Sequence, residues 1–260
     1  MPFRGWQRQT DAYSVQEKVE AALLKICKTP VSANGCGRTD AQVHASQFFF
    51  HADLEIRDVQ EILPKLNDAL GPEIALFDII PVDDKASARF DAIHRTYDYF
   101  IHTHHDPFLH DRSALYDHLE IDPHKMAEGV ALLPSYDDYY AFCKSPESFN
   151  TTICRVSSAV LFANEGADKF RFQITANRFL TGMIRIIMGR LLELANGRMS
   201  LDQFEHHLAN KKTPKILSPA YPQGLYLSKV VYPYLDIVPR AAFLAFPNVD
   251  GSSFWKPVMV

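Results

Sequence analysis

Apolar positions recur along the chain at two spacings, and the spacings alternate. After Ser14, the residues Val15, Val19, Ala22, Leu23 and Ile26 repeat at helical intervals until Pro30 ends the pattern, and Ser14 with Glu17 supplies a capping box at its start. A second such signal, Asp58 with Glu61, opens a helix that carries Ile62, Leu66 and Leu70 on one side and ends at Gly71, with Pro64 inside it. Residues 123–133 predict a third helix capped by Asp122, and residues 200–210 a fourth opened by Ser200 and Gln203. The longest helical pattern runs over residues 178–196 with Leu180, Ile184, Ile187, Leu191 and Leu194 as its apolar stripe, ending at Gly197. Between these lie runs of period two. Residues 43–50 alternate, with Val43, Ala45, Gln47 and Phe49 on one face. Residues 95–103, 152–162, 169–175 and 219–232 predict further strands, and the short apolar run 74–81 another. Strands and helices thus alternate in both halves of the chain.

Composition adds limits. With 260 residues, 47% hydrophobic and 22% charged, the chain is long enough for one large core or two small domains. No apolar run reaches the length of a membrane span, and the first ten residues lack a signal peptide's apolar core, so a cytoplasmic protein with no membrane association is expected. Four cysteines without CxxC spacing read as free thiols. A formal net charge of −4 requires any RNA-binding surface to be a segregated basic patch. His102, His104, His105 and His110 are dense but match no metal-ligand spacing, so they read as solvated loop residues and no metal is assigned.

Two stretches carry candidate chemistry. Residues 34–51, NGCGRTDAQVHASQFFFH, set a glycine-bracketed loop before a strand and place Arg38 two residues from Asp40. In the long helical pattern Arg178, Gly182, Arg185 and Gly189 fall at i, i+4, i+7 and i+11, predicting a notch where another element approaches closely around a guanidinium.

GRTDAQVHA resembles the GRTDAGVHA signature of the tRNA pseudouridine synthase A family, with Gln42 in place of its second glycine. GWQRQ (residues 5–9), RTYDYFI (95–101), NRFLTGMIRIIMGRLLE (177–193) and PAYPQGLYLSKVVY (219–232), the last similar to the family's P-x-x-GL-x-L-x-x-V-x-Y ending, resemble the family's other motifs, in the family's order; Ile186 stands where the family usually has asparagine. The resemblance implies an α+β fold of two similar ferredoxin-like or RRM-like halves that share a mostly antiparallel sheet, with helices on one face and an active-site cleft between the halves. Residues 1–105 would form the half with the catalytic aspartate and 106–260 the half with its partner arginine. It assigns Asp40 as nucleophile or base, Tyr97 as the residue beside the target uracil and candidate general base, and Arg185 as the ion-pair partner of Asp40. Arg38, Arg178 and His44 fall to RNA binding. The implied reaction isomerises uridine to pseudouridine in the tRNA anticodon arm, at positions 38 to 40, in a homodimer and with no cofactor. A homologue that binds tRNA without turnover is the alternative, and a histidine-dependent hydrolase is a third reading with little support. In the family GWQRQ follows a first strand, whereas four residues precede Gly5 here. The first half's sheet is therefore expected to be gapped or exposed at one edge, or covered by residues 241–260, with the natural chain or its ancestor starting upstream of Met1.

Overall fold

The computed structural model describes residues 3–55, 58–210, 218–239 and 254–260, which form two compact units. The first comprises residues up to 43 together with 48–92, and the second residues 44–47 together with 93 onward.

The first unit is helix-dominated. Helix α1 (Val15–Cys27) starts where the Ser14 hydroxyl accepts from the Glu17 amide, and stops at Lys28 in the left-handed region, φ 62°. Helix α2 (Val59–Leu70) is capped by Asp58, whose carboxylate accepts from the Gln60 and Glu61 amides, and it carries Pro64 internally. Strands β1 (Asn34–Gly35) and β3 (Phe50–His51) pair antiparallel as a two-stranded sheet. Trp6, Val19, Leu23, Ala33, Leu66 and Leu70 form the core. Two strand expectations fail here. Residues 74–81 form no strand, because the Asn67 side chain takes the place of a neighbour: its amide donates to the Leu76 carbonyl (3.0 Å) and its oxygen accepts from the Leu76 amide (2.7 Å). Residues 43–50 are not one strand but two short pieces in different sheets, β2 (His44–Ala45) and β3. The break is at Gln47, whose buried side chain accepts from the Val230 amide (2.8 Å) and donates to the Ile237 carbonyl (3.1 Å), so a side chain occupies the edge where backbone would continue.

The second unit is built on a seven-stranded mixed sheet. Its strands are β2, β4 (His94–His102), β5 (Ala114–Leu115), β6 (Val156–Ala163), β7 (Lys169–Ala176), β8 (Leu225–Val231) and β9 (Lys256–Pro257), in the order β2-β8-β4-β7-β6-β9, with β5 beside β4. The β4–β7, β6–β7 and β4–β8 pairs are antiparallel, and β2–β8 is parallel. Helices α3 (Pro123–Leu132), α4 (Met183–Ala195) and α5 (Leu201–Ala209) complete it. The sequence β4-α3-β6-β7-α4-β8 laid out as β8-β4-β7-β6 is a split β-α-β-β-α-β arrangement. Among the described residues the first unit shows no such order.

β7 alternates strictly, with Phe170, Phe172, Ile174 and Ala176 fully buried, each large side chain contributing about 1.5–3 kcal/mol. α3 crosses α4 closely, since a Cβ on Gly129 would lie 2.6 Å from the Leu194 side chain. Helix α4 begins later than the apolar spacing predicts. Gly182, at φ 73°, is its N-cap, and the Met183 amide donates to the Leu180 carbonyl, so residues 178–182 form a turn and Arg178 is off the helix. The terminal segment 254–260 lies on the second unit's sheet, where β9 pairs with β6, and not on the first unit's; residues 241–253 of that expectation lie outside the described residues. Residues 3–9 form no strand.

Candidate active site

The loop that carries Asp40 is seated on the GWQ segment. Gly5 sits at φ 91°, and a Cβ there would meet the Thr39 carbonyl oxygen at 2.2 Å; the Trp6 amide donates to that same oxygen (3.2 Å). Trp6 in turn lies under Gly35, where a Cβ would come within 2.6 Å of the indole, and its ring is 4.3 Å from that of Phe48. Gly5 and Trp6 are tied to α1 by bonds from the Val15 amide to the Gly5 carbonyl and from the Gln16 amide to the Trp6 carbonyl. Gly35 therefore serves close approach. Gly37 does not: nothing lies within 4 Å of where its Cβ would be. The Cys36 amide donates to the Phe49 carbonyl (2.8 Å) and its thiol side is buried, which anchors the loop from the other side. Arg38 and Asp40 face solvent from this frame. The chain then turns, the Val43 amide donating to the Asp40 carbonyl (3.2 Å), with Gln42 at φ 65°. Glycine is the residue for which that conformation carries no steric cost.

His44 enters the second unit in β2. Its ring stacks flat on Tyr226, centroids 4.4 Å apart and planes at 7°, and its Nε2–H donates to the Asp111 carbonyl (2.8 Å). Burial lowers its pKa, which fits a neutral imidazole spending its one proton on that carbonyl. Tyr226 donates to the next carbonyl, Arg112 (2.8 Å), so the pair fixes the loop that follows β4.

Tyr97 is nearly buried in central β4, between Ile174 of β7 and Leu227 of β8, at a place where the register against β8 shifts between Thr96 and Tyr97. Such irregularities redirect side chains within a sheet. Its ring meets Phe179 edge-on at 5.1 Å. Phe179 belongs to the turn before α4, which is held by the Asn177 side chain accepting from the Arg155 amide (2.7 Å) and by the Lys144 amide donating to the Thr181 carbonyl (3.0 Å). Arg178, in the same turn, is half-buried and acts electrostatically on the Cys143 and Cys154 thiols. Burial pushes these up to about 11 and about 12, and the arginine opposes the rise, so both are unreactive core thiols.

Arg185 and Gly189 share α4. Of the two glycines, Gly182 is approached by the Lys144 side chain, 3.2 Å from where its Cβ would be, and the close backbone approach expected of a notch is at Gly189, where a Cβ would be 2.0 Å from the Ser218 carbonyl oxygen. That closeness lets residues 218–220 run along the helix: the Ala220 amide donates to the Arg185 carbonyl (2.8 Å) and Arg185 Nε donates back to the Ala220 carbonyl (2.7 Å). Ile186, adjacent, is 1% exposed and faces apolar core. Arg185 also lies near the Tyr99 and Tyr116 hydroxyls. Burial raises both of their pKa values, Tyr99's well above the ordinary tyrosine value, and the guanidinium opposes the rise.

The histidine cluster is corrected in one member. His102 belongs to β4 and is buried, its Nδ1 3.0 Å from the Ser113 hydroxyl, while His104, His105 and His110 are exposed as expected. His105 lies 3.1 Å from the Asp117 carboxylate.

Asp40 and Arg38 thus belong to the first unit, and His44, Tyr97, Arg178 and Arg185 to the second. The residues that pattern reading passed over are Gly5 and Trp6. GWQRQ was a match without a role, and the positive φ at Gly5 is the feature that gives it one.

A family profile described as tRNA pseudouridine synthase matches residues 136–233. Proteins named tRNA pseudouridine synthase A from Porphyromonas gingivalis and Parabacteroides distasonis are 38% and 39% identical to the chain over 89% of its length, covering 92% and 91% of their own. One from Gloeobacter violaceus is 35% identical, over 89% of this chain and 76% of itself. Identity of that order along almost the whole sequence reflects common descent: the chain belongs to the tRNA pseudouridine synthase A family.

Proposed function

We propose that the protein isomerises uridine to pseudouridine in the tRNA anticodon arm, at positions 38 to 40. The observation that carries this is the 38% identity to a tRNA pseudouridine synthase A across 89% of the chain. The reaction breaks the N1–C1′ bond of uridine, turns the uracil, joins C5 to C1′ and releases the C5 proton while N1 gains one. Nothing is oxidised or reduced, so side chains and solvent suffice. A base must leave the helical stack to be reached, and Arg38, projecting from a loop braced by Gly5 and Trp6, is suited to fill the space it vacates. Asp40 acts as nucleophile or base, with Arg185 as its ion-pair partner. Tyr97 lies beside the uracil and is the candidate general base. Arg178 contacts RNA, and His44 contributes through the loop whose Asp111 carbonyl it binds. Residues 1–105 supply the aspartate and residues 106–260 the arginine. The working form is a cytoplasmic homodimer.

The test is tritium release from a tRNA transcript labelled at uracil C5, run with a chelator present. Release that requires Asp40 and survives chelation is the expected result. Tight tRNA binding with no release would make the protein a non-catalytic RNA binder, and release abolished by the chelator would indicate a metal-dependent reaction.

A further inference from the structure

Next to Arg185 stands an exposed ring that none of the motifs accounts for. Tyr221 is 52% exposed, and its inner face stacks on Tyr116 with centroids 5.1 Å apart and planes at 24°. Its backbone is fixed on both sides. The amide donates to the Tyr116 hydroxyl oxygen (3.2 Å), and the carbonyl accepts from the Tyr99 hydroxyl (2.7 Å). The residue before it, Ala220, is bound twice by Arg185, and the residue after it is Pro222, whose ring restricts the backbone. An exposed tyrosine on an ordinary loop loses rotamer freedom when it binds. Here the loop and one ring face are ordered beforehand, so little of that cost remains.

We propose that Tyr221 is a nucleobase-stacking residue of the substrate surface: one base of the RNA stacks on its outer face, beside the Arg185 guanidinium. The proposal rests on tRNA being the substrate and extends that reading by one contact. Stacking suits this position because every base has a π face, so the contact tolerates the different sequences of the tRNAs an anticodon-arm enzyme meets.

The experiment compares wild type with Tyr221→Phe, Tyr221→Leu and Tyr221→Ala, measuring tRNA affinity by filter binding at several salt concentrations, tritium release, and thermal melting. Loss of stacking is expected to weaken binding by about tenfold in the Leu and Ala variants. Phe retains wild-type affinity within about twofold, and the slope of log affinity against log salt stays constant because no phosphate contact is lost. Leucine preserves bulk against Tyr116, so it separates stacking from packing even if the Ala variant melts early. Wild-type affinity in Tyr221→Leu would overturn the proposal, as would a salt slope reduced by about one, which would mean a disturbed cation. If wild type releases tritium while all variants match it, this contact alone is wrong. If wild type neither binds nor modifies tRNA, the substrate reading falls and this contact with it.

Discussion

Asp40 in the first unit is carried by an exposed loop seated against Gly5, Trp6 and Phe49, beside a sheet of two 2-residue strands. Tyr97 and Arg185 in the second unit stand on the central strand of a seven-stranded sheet and on a helix with ten buried positions. The first frame permits an outward-facing carboxylate, because a loop can aim a short side chain at solvent. The second permits a nearly buried tyrosine and a half-buried guanidinium, because packed elements hold long side chains against competing rotamers. Rigidity in the first unit is therefore concentrated in single residues, and in the second it is distributed. Substitutions should behave accordingly.

The largest effect belongs to Asp40→Asn, which keeps shape and removes charge. Tritium release should fall by on the order of 10³-fold or more, with tRNA affinity within a few-fold of wild type, since affinity comes mainly from phosphate contacts. Substantial turnover by the purified variant would remove Asp40 from the mechanism.

Two glycine substitutions set the units against each other directly. Gly189→Ala drives a methyl to 2.0 Å from the Ser218 carbonyl oxygen, and residues 218–220 must shift from α4. Overpacking of this kind costs about 1–3 kcal/mol, which a lower denaturant midpoint would report. Gly5→Ala meets the Thr39 carbonyl oxygen at 2.2 Å and places a side chain at φ 91°. Its displacement passes straight to the residue before Asp40, so the expected signature is a fall in kcat larger than the fall in stability predicts. Equal stability losses with unchanged kcat in both would refute the division between concentrated and distributed support.

How much of this was legible in the sequence follows the same line. The caps at Ser14, Asp58, Asp122 and Ser200 each mark a helix start that the structure repeats, because a cap is a local event between a side chain and amides two or three residues on. β7 was readable because both its neighbours, β4 and β6, are regular strands, so its period-two burial had somewhere to be expressed. The failures have nonlocal causes. Residues 74–81 satisfy their backbone through Asn67, and the 43–50 run is broken by Gln47 reaching residues 230 and 237, partners no window along the sequence contains. The stripe from Arg178 to Gly189 had helical spacing by coincidence, since Gly182 takes a left-handed φ that spacing does not encode. At the candidate site, motif matches named the residues, while the seat that Gly5 and Trp6 provide emerged only from geometry.

Acid should distinguish the units by their histidines. His44, His102 and His207, all in the second unit, have pKa values lowered from the ordinary 6.5, in each case first by burial. Between those lowered values and 6.5 the unfolded chain binds more protons than the folded one. Their stabilising contribution is complete above about pH 6.5 and is lost as pH falls toward the folded values. A lower urea midpoint at pH 5.5 than at pH 7.5 is expected, with amide exchange rising first in β2, β4 and α5. Uniform exchange across both units would mean that these histidines do not set the acid limit.

The smallest effect is expected at Gln42, and its sign tests whether the loop's strain is incidental. At φ 65° a non-glycine residue carries about 1–2 kcal/mol of steric cost. Glycine removes that cost but releases more backbone freedom in the unfolded chain, worth roughly 0.5–1 kcal/mol. The difference leaves Gln42→Gly more stable by about 0–1.5 kcal/mol, a small rise in melting temperature. Gln42 is exposed and the turn is closed by backbone, from the Val43 amide to the Asp40 carbonyl, so the side chain is not what holds the turn. Glycine keeps that bond, and tritium release should stay within about twofold of wild type. A destabilised Gln42→Gly, or one that keeps its stability and loses turnover, would show that the glutamine side chain itself helps to place Asp40. The loop would then depend on a third residue beyond Gly5 and Trp6.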